Sequence, residues 1–150
     1  MTLKHLEKIS ENLTKDFDDF WNINIFKTEL LNENSHYIVL EKNEEIIGFG
    51  GFWRNIDEAH ITNIVVRKDL RKQGYASIIL QNLLLTTYNL QLTTTLEVSE
   101  NNTAAINLYK KFNFQIVGER KGYYNGQNNA IIMTLSEKGR IFLRQKLNKK

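Results

Sequence analysis

The stretch "ITNIVVRKDLRKQGYASIILQNLLL", Ile61 to Leu85, constrains the fold more than any other part of the chain. A β-branched run reads as a strand, and the apolar stretch after it, interrupted by Gln81 and Asn82, reads as a helix beginning near Gly74 and running to about Tyr88. Between them lies a basic turn carrying Gly74 and the small residue Ala76. A strand feeding a helix in this way requires a helix laid on a sheet, which places the chain in a mixed α/β class. The first N–H groups of such a helix have no partner within it, and its dipole favours a bound anion, most usefully a diphosphate. Gly74 and Ala76 leave room for phosphate oxygens against the backbone, and Arg71 and Lys72 add diffuse positive charge. The plainer alternative is that Gly74 only shapes a turn and the two cations are solvated.

The flanking sequence supplies the remaining layers. Leu3, Leu6, Ile9, Leu13 and Phe17 recur at helical spacing over residues 2 to about 19, and "NIFKTELLNEN" reads as a second, shorter helix. The stripe Phe17, Phe20, Trp21 and Phe26, together with Trp53, is expected in the core. Asp18, Asp19 and Glu29 read either as a solvated helix face or as a rim for a basic peptide. "HYIVLEK" and "EIIGFGGFWRN" are expected to pair across the turn Lys42-Asn43-Glu44, with "EAHITNIVV" as the next strand. "LTTTLEVS" is a further strand, "NTAAINLYKKF" a helix capped by Asn102 and closed by Asn113, and "FQIVGERKGYY" with "NNAIIMTLS" a final strand pair. One domain over residues 1–150 is expected, with 136–150 an appended basic helix and tail.

Composition removes several function classes. The chain of 150 residues has no cysteine, so disulfides, Cys-ligated metals and a cysteine nucleophile are excluded. His5, His36 and His60 share no ligand-like spacing, so no metal is expected. A net charge of +3 is too mild to announce a nucleic-acid binder. The N-terminal residues lack the apolar run of a signal peptide and no stretch suits a bilayer span, so a cytoplasmic protein without membrane contact is expected.

The pattern Arg-x-x-Gly-x-Ala after a strand, followed by "LEVSENNTAAINLYKKFNFQIVGERKGYY" and "AIIM", resembles the GNAT family of acetyl-CoA-dependent N-acetyltransferases. The likeness runs from "FDDFWN" to "AIIMTL" and is strongest over residues 61 to 135. Within the family it is greatest to the members that acetylate the N-terminal alanine of ribosomal protein S18. The resemblance implies a mostly antiparallel central sheet flanked by helices, acetyl-CoA as co-substrate, and a protein N-terminus such as that of S18 as partner, acted on by a monomer. It implies that the backbone of Ile64, Val65 and Val66 pairs with the pantetheine arm. It also implies that Arg71, Lys72, Gln73, Gly74, Tyr75, Ala76 and Ser77 form the diphosphate turn, and that Asn102 touches the cofactor. Glu97 matches the proton acceptor and Tyr109 the proton donor. Ala76 stands where many members have glycine, Asn113 replaces the glycine of the usual Phe-Gly-Phe, and the tail is longer than the family core needs.

Acetyl transfer from a thioester to an amine needs a neutral amine, a polarised carbonyl and a thiolate that gains a proton. An α-amine has a reference pKa near ~8 and is substantially neutral around physiological pH, whereas a lysine amine near ~10.4 costs roughly 3 kcal/mol more to deprotonate. One carboxylate, acting directly or through a water, suffices for the α-amine. Glu97, late in a central strand, is either that carboxylate or an ion-pair residue. Tyr109 is either the proton donor or a core aromatic. Val66 N–H suits the developing oxyanion. Tyr123 and Tyr124 either frame the peptide entry or pack across strands. Without cysteine no acyl-enzyme is expected, so transfer is direct in a ternary complex. A small-molecule amine, a lysine side chain, or a silent acyl-CoA-binding module remain the alternatives.

Overall fold

The computed structural model describes residues 1–10, 23–124 and 128–148. Helix α1 (Leu3–Ser10) and α2 (Ile23–Leu31) precede strands β1 (Ser35–Lys42), β2 (Glu45–Arg54) and β3 (Glu58–Val66). A short 3-10 turn (Lys68–Leu70) leads to α3 (Tyr75–Asn89), followed by β4 (Thr93–Ser99), α4 (Thr103–Lys111), β5 (Phe114–Tyr124), β6 (Asn128–Leu135) and α5 (Glu137–Asn148). The strands order as β1-β2-β3-β4-β6-β5. The β1–β2, β4–β6 and β5–β6 ladders are antiparallel, and β3–β4 is parallel. This is the mixed, mostly antiparallel sheet with helices expected from the sequence. No described helix is long and apolar enough to cross a membrane.

By internal contacts the chain forms two compact units, Met1–Asn55 with Thr62–Leu83, and Ile56–Ile61 with Leu84–Lys150. Strand β3 and helix α3 each run through both.

In the first unit the β1–β2 hairpin closes on Asn43 (φ 52°) and Glu44 (φ 67°), both left-handed, as a two-residue turn demands when its twist must match the strands. β2 is buried along nearly its whole length, so both of its faces are covered. On one face Phe49 meets Phe26 of α2, which in turn stands edge-on to Tyr37 at 5.4 Å. On the other, α3 comes so close that a Cβ at Gly50 would lie 2.7 Å from Ile79 Cγ2, and one at Gly48 2.9 Å from Ile79 Cδ1. The alternating glycines are the clearance that lets α3 lie on the strand.

Phe26 is buried as expected, but Trp53 is only half-buried. It pairs with Ser35, the first residue of β1, where the ladder offers little cover. Glu29 is held by a hydrogen bond from Ser35 Oγ and is half-buried, so it is not simply a solvated face. Leu13, Phe17, Asp18, Asp19, Phe20 and Trp21 lie outside the described residues.

In the second unit Leu96, Val98, Met133, Phe114 and Leu143 are among the buried apolar side chains. The one buried polar pair, among the described residues, is satisfied internally: Thr94 Oγ1 donates to Thr87 Oγ1 at 2.8 Å, and Thr87 Oγ1 to Leu84 O at 3.0 Å. Asn102 Oδ1 accepts from Ala105 N–H at 3.2 Å, capping α4, and Asn113 (φ 68°) turns the chain out of it. Helix α5 buries Leu143 and brings Gly139 against Leu135 and Phe112 O.

Candidate active site

The first unit builds an edge and a turn almost wholly from backbone. The parallel ladder of β3 with β4 covers only Glu58 to Ile61, and β3 continues to Val66. Arg67 N–H donates to Ile47 O at 2.8 Å, and the carbonyls of Val65 and Asn63 lie against Gly48 and Gly50. Peptide groups alternate in direction along a strand, so those of Ile64 and Val66 face the edge away from β2. Tyr37 braces the strand just before this edge. Its hydroxyl shares a 2.8 Å hydrogen bond with Thr62 Oγ1 and accepts one of 3.3 Å from Asn63 Nδ2, while burial pushes the phenol up to about 12.

The turn that follows is braced by Arg67. Its guanidinium donates to both oxygens of Asp69, at 2.7 and 3.1 Å, and to Glu45 Oε2 at 3.2 Å. Its hydrogen bonds to Asp69 hold that carboxyl below its usual range. Arg71 does not simply add diffuse charge, as the sequence suggests: its Nε–H donates to Val66 O at 3.2 Å, tying the turn to the end of β3. Lys72 (φ 65°) and Gly74 (φ 89°) are both left-handed. A Cβ at Gly74 would meet no heavy atom within 4 Å, so the space above it is open. Ile78 N–H finds Gly74 O at 3.3 Å, while Tyr75, Ala76 and Ser77 N–H precede any helical acceptor. Lys42 Nζ donates to Tyr75 Oη at 2.8 Å and stands 5.5 Å from its ring centre, bringing a cation from the β1–β2 hairpin. Open space, free N–H directions and positive charge together fit a diphosphate.

The second unit holds side-chain chemistry. Glu97 shares a face of β4 with Thr95 and Ser99, its side chain 27% exposed, and its Oε1 lies 3.0 Å from Arg120 Nη2 of β5. The ion-pair reading of Glu97 therefore holds in this structure, and it leaves the carboxylate accessible for a proton. Tyr109 in α4 is 9% exposed, its ring edge-on to Phe114 at 5.6 Å, so the ring is a core aromatic whatever its hydroxyl does. Asn102 is the cap of α4. Tyr123 and Tyr124 close β5, and their side chains lie outside the described part of the structure. Among the described residues no cluster of three or more His, Asp or Glu could hold a metal.

The family profile described as "Acetyltransferase (GNAT) family" matches residues 3–114. The chain belongs to this family. A Bacillus subtilis (strain 168) protein provisionally named [ribosomal protein bS18]-alanine N-acetyltransferase is 34% identical over 142 residues, covering 91% of this chain and 94% of that one. The crystal structure of the ribosomal-protein-S18-alanine N-acetyltransferase from Escherichia coli superposes with a TM-score of 0.81 at 27% identity, over 90% of this chain and 89% of that one. A GNAT family acetyltransferase from Elizabethkingia anophelis, solved with acetyl-CoA bound, shares the fold with a TM-score of 0.67 at 21% identity, over 75% and 82% of the two chains. The protein is thus an N-acetyltransferase of the GNAT fold.

Sequence reasoning overlooked what three sets of residues do. The Gly48 and Gly50 alternation was legible as a close-approach signal within a strand. Lys42 and Arg120 carried none, because each meets its partner only through tertiary pairing.

Proposed function

We propose that this acetyltransferase, with acetyl-CoA as donor, acetylates a protein N-terminal α-amine, the N-terminal alanine of ribosomal protein S18. The observation that carries the acceptor assignment is the likeness to relatives named as S18-alanine acetyltransferases, the Bacillus subtilis one provisionally, over 91% of the chain, and an Escherichia coli one over 73%. In this reading residues 1–150 act as one catalytic domain, a cytoplasmic monomer without nucleic-acid or membrane contact.

The outward peptide groups of Ile64 and Val66, with Val65 between them, take the pantetheine arm as an added strand. N–H groups from Lys72, Gln73, Gly74, Tyr75, Ala76 and Ser77 receive the diphosphate, Arg71 steadies the turn, and Asn102 touches the cofactor. Tyr123 and Tyr124 frame the incoming peptide. The neutral α-amine attacks the thioester carbonyl, whose oxygen is held by Val66 N–H. Glu97 takes a proton from the attacking nitrogen. As the C–S bond breaks, Tyr109 donates its proton to the departing sulfur. The proton on Glu97 then returns through solvent to the Tyr109 phenolate, leaving an amide, a thiol and the enzyme in its starting state.

The test uses acetyl-CoA and a peptide copying the S18 N-terminus, read by mass spectrometry. The expected product carries one acetyl group on the α-amine. The same peptide blocked at that amine is expected to stay unmodified, and acetylation of a lysine in the blocked peptide would overturn the assignment.

A further inference from the structure

We propose that Arg120 is a positioning residue for the acetyl transfer, acting through Glu97; this rests on the reading of Glu97 as proton acceptor. Register places the two side chains on one face. Glu97 pairs with Ile132 and Ser99 with Ala130 in the β4–β6 ladder, while Ala130 pairs with Arg120 in the β5–β6 ladder. Directly paired residues share a face, as do residues two apart on one strand, so Arg120, Ala130, Ser99 and Glu97 all project to the same side. Arg120 must therefore reach diagonally across β6 to put Nη2 3.0 Å from Glu97 Oε1. Ala130, fully buried and the smallest side chain that could stand there, leaves that path open. Gly118, paired with Ile132, adds no side chain beside the Arg120 stem.

An ion pair of this exposure, 55% for Arg120 and 27% for Glu97, contributes only about 0–1 kcal/mol to stability. Its stronger consequence is geometric. A carboxylate on a flexible stem can present either oxygen in many orientations, and a guanidinium holding Oε1 leaves Oε2 as the oxygen that accepts the proton from nitrogen. Small errors in the placement of a reacting group cost heavily in rate, so this restraint bears on turnover rather than on donor affinity.

The experiment is a double-mutant cycle on the full chain, with initial rates on the S18-like peptide, acetyl-CoA binding by calorimetry and thermal unfolding. Arg120→Gln is expected to lower kcat about tenfold, a modest share of the loss that misplacing a reacting group can cause. Its acetyl-CoA affinity and unfolding temperature should match the parent. Arg120→Lys, which keeps the charge but not the fork, is expected to recover part of the loss. In the Glu97→Gln background, Arg120→Gln is expected to cost nothing further. Losses that multiply in the double variant, or parental kcat in Arg120→Gln, would overturn the role of Arg120 while leaving the acceptor reading of Glu97 intact. Parental kcat in Glu97→Gln would remove both.

Discussion

The two compact units offer different kinds of chemical group. The first presents main chain: outward peptide groups at Ile64 and Val66, a left-handed Gly74 under open space, and the first N–H groups of α3. Side chains there act as braces, with Arg67 pinning the turn, Arg71 holding Val66 O and Tyr37 fastening Thr62 and Asn63. The second unit presents side chains: the Glu97 carboxylate paired with Arg120, and the Tyr109 ring packed edge-on to Phe114. A large, flexible, multiply charged cofactor is well held by many weak main-chain donors, whereas proton transfer needs particular acids and bases. In the proposed reading, damage to the turn around Gly74 should therefore appear as lost affinity, and damage to Glu97 or Tyr109 as lost turnover.

The sharpest way to break this contrast is Tyr109→Phe. Loss of a general acid lowers kcat by about 10²–10⁴-fold, with acetyl-CoA affinity within about twofold of the parent, checked by steady-state kinetics and calorimetry. A fall in affinity matching the fall in rate would mean the ring holds the cofactor instead. Gly74→Val comes next, with acetyl-CoA affinity expected to weaken by at least about tenfold, since a side chain enters the open space above the turn and a β-branched residue adopts the left-handed region poorly. Because a Cβ there touches no protein atom, the expected stability cost is the backbone strain alone, about 1–3 kcal/mol. Unchanged calorimetric affinity would end the phosphate-turn assignment. The smallest effect on the reaction belongs to Gly50→Ala. Overpacking against Ile79 should cost about 1–3 kcal/mol in denaturant unfolding, relieved in part by Ile79→Ala, with kcat little changed.

Much of this architecture is legible in the sequence. The run of Ile61 to Val66, the glycine at 74 and the apolar stretch after it gave a strand, a turn and a helix with boundaries off by a residue or less, because periodicity and turn chemistry are local. Asn102 as a cap and Asn113 as a left-handed exit were legible for the same reason. Trp53 is half-buried rather than core because burial depends on what covers a strand end, which its own sequence does not say. Arg71 looks like loose charge in the sequence because its acceptor, a strand-end carbonyl, has no side-chain signature.

Sequence alone determined the family, the order of the elements and the strand–turn–helix around Gly74, since these follow from residue types at short spacing. Tertiary structure alone decided which oxygen of Glu97 is held, that Lys42 reaches Tyr75, and that α3 rides on Gly48 and Gly50. Each of these joins residues far apart in the chain, and only strand register and helix packing set the distances over which charge, hydrogen bonds and contact act.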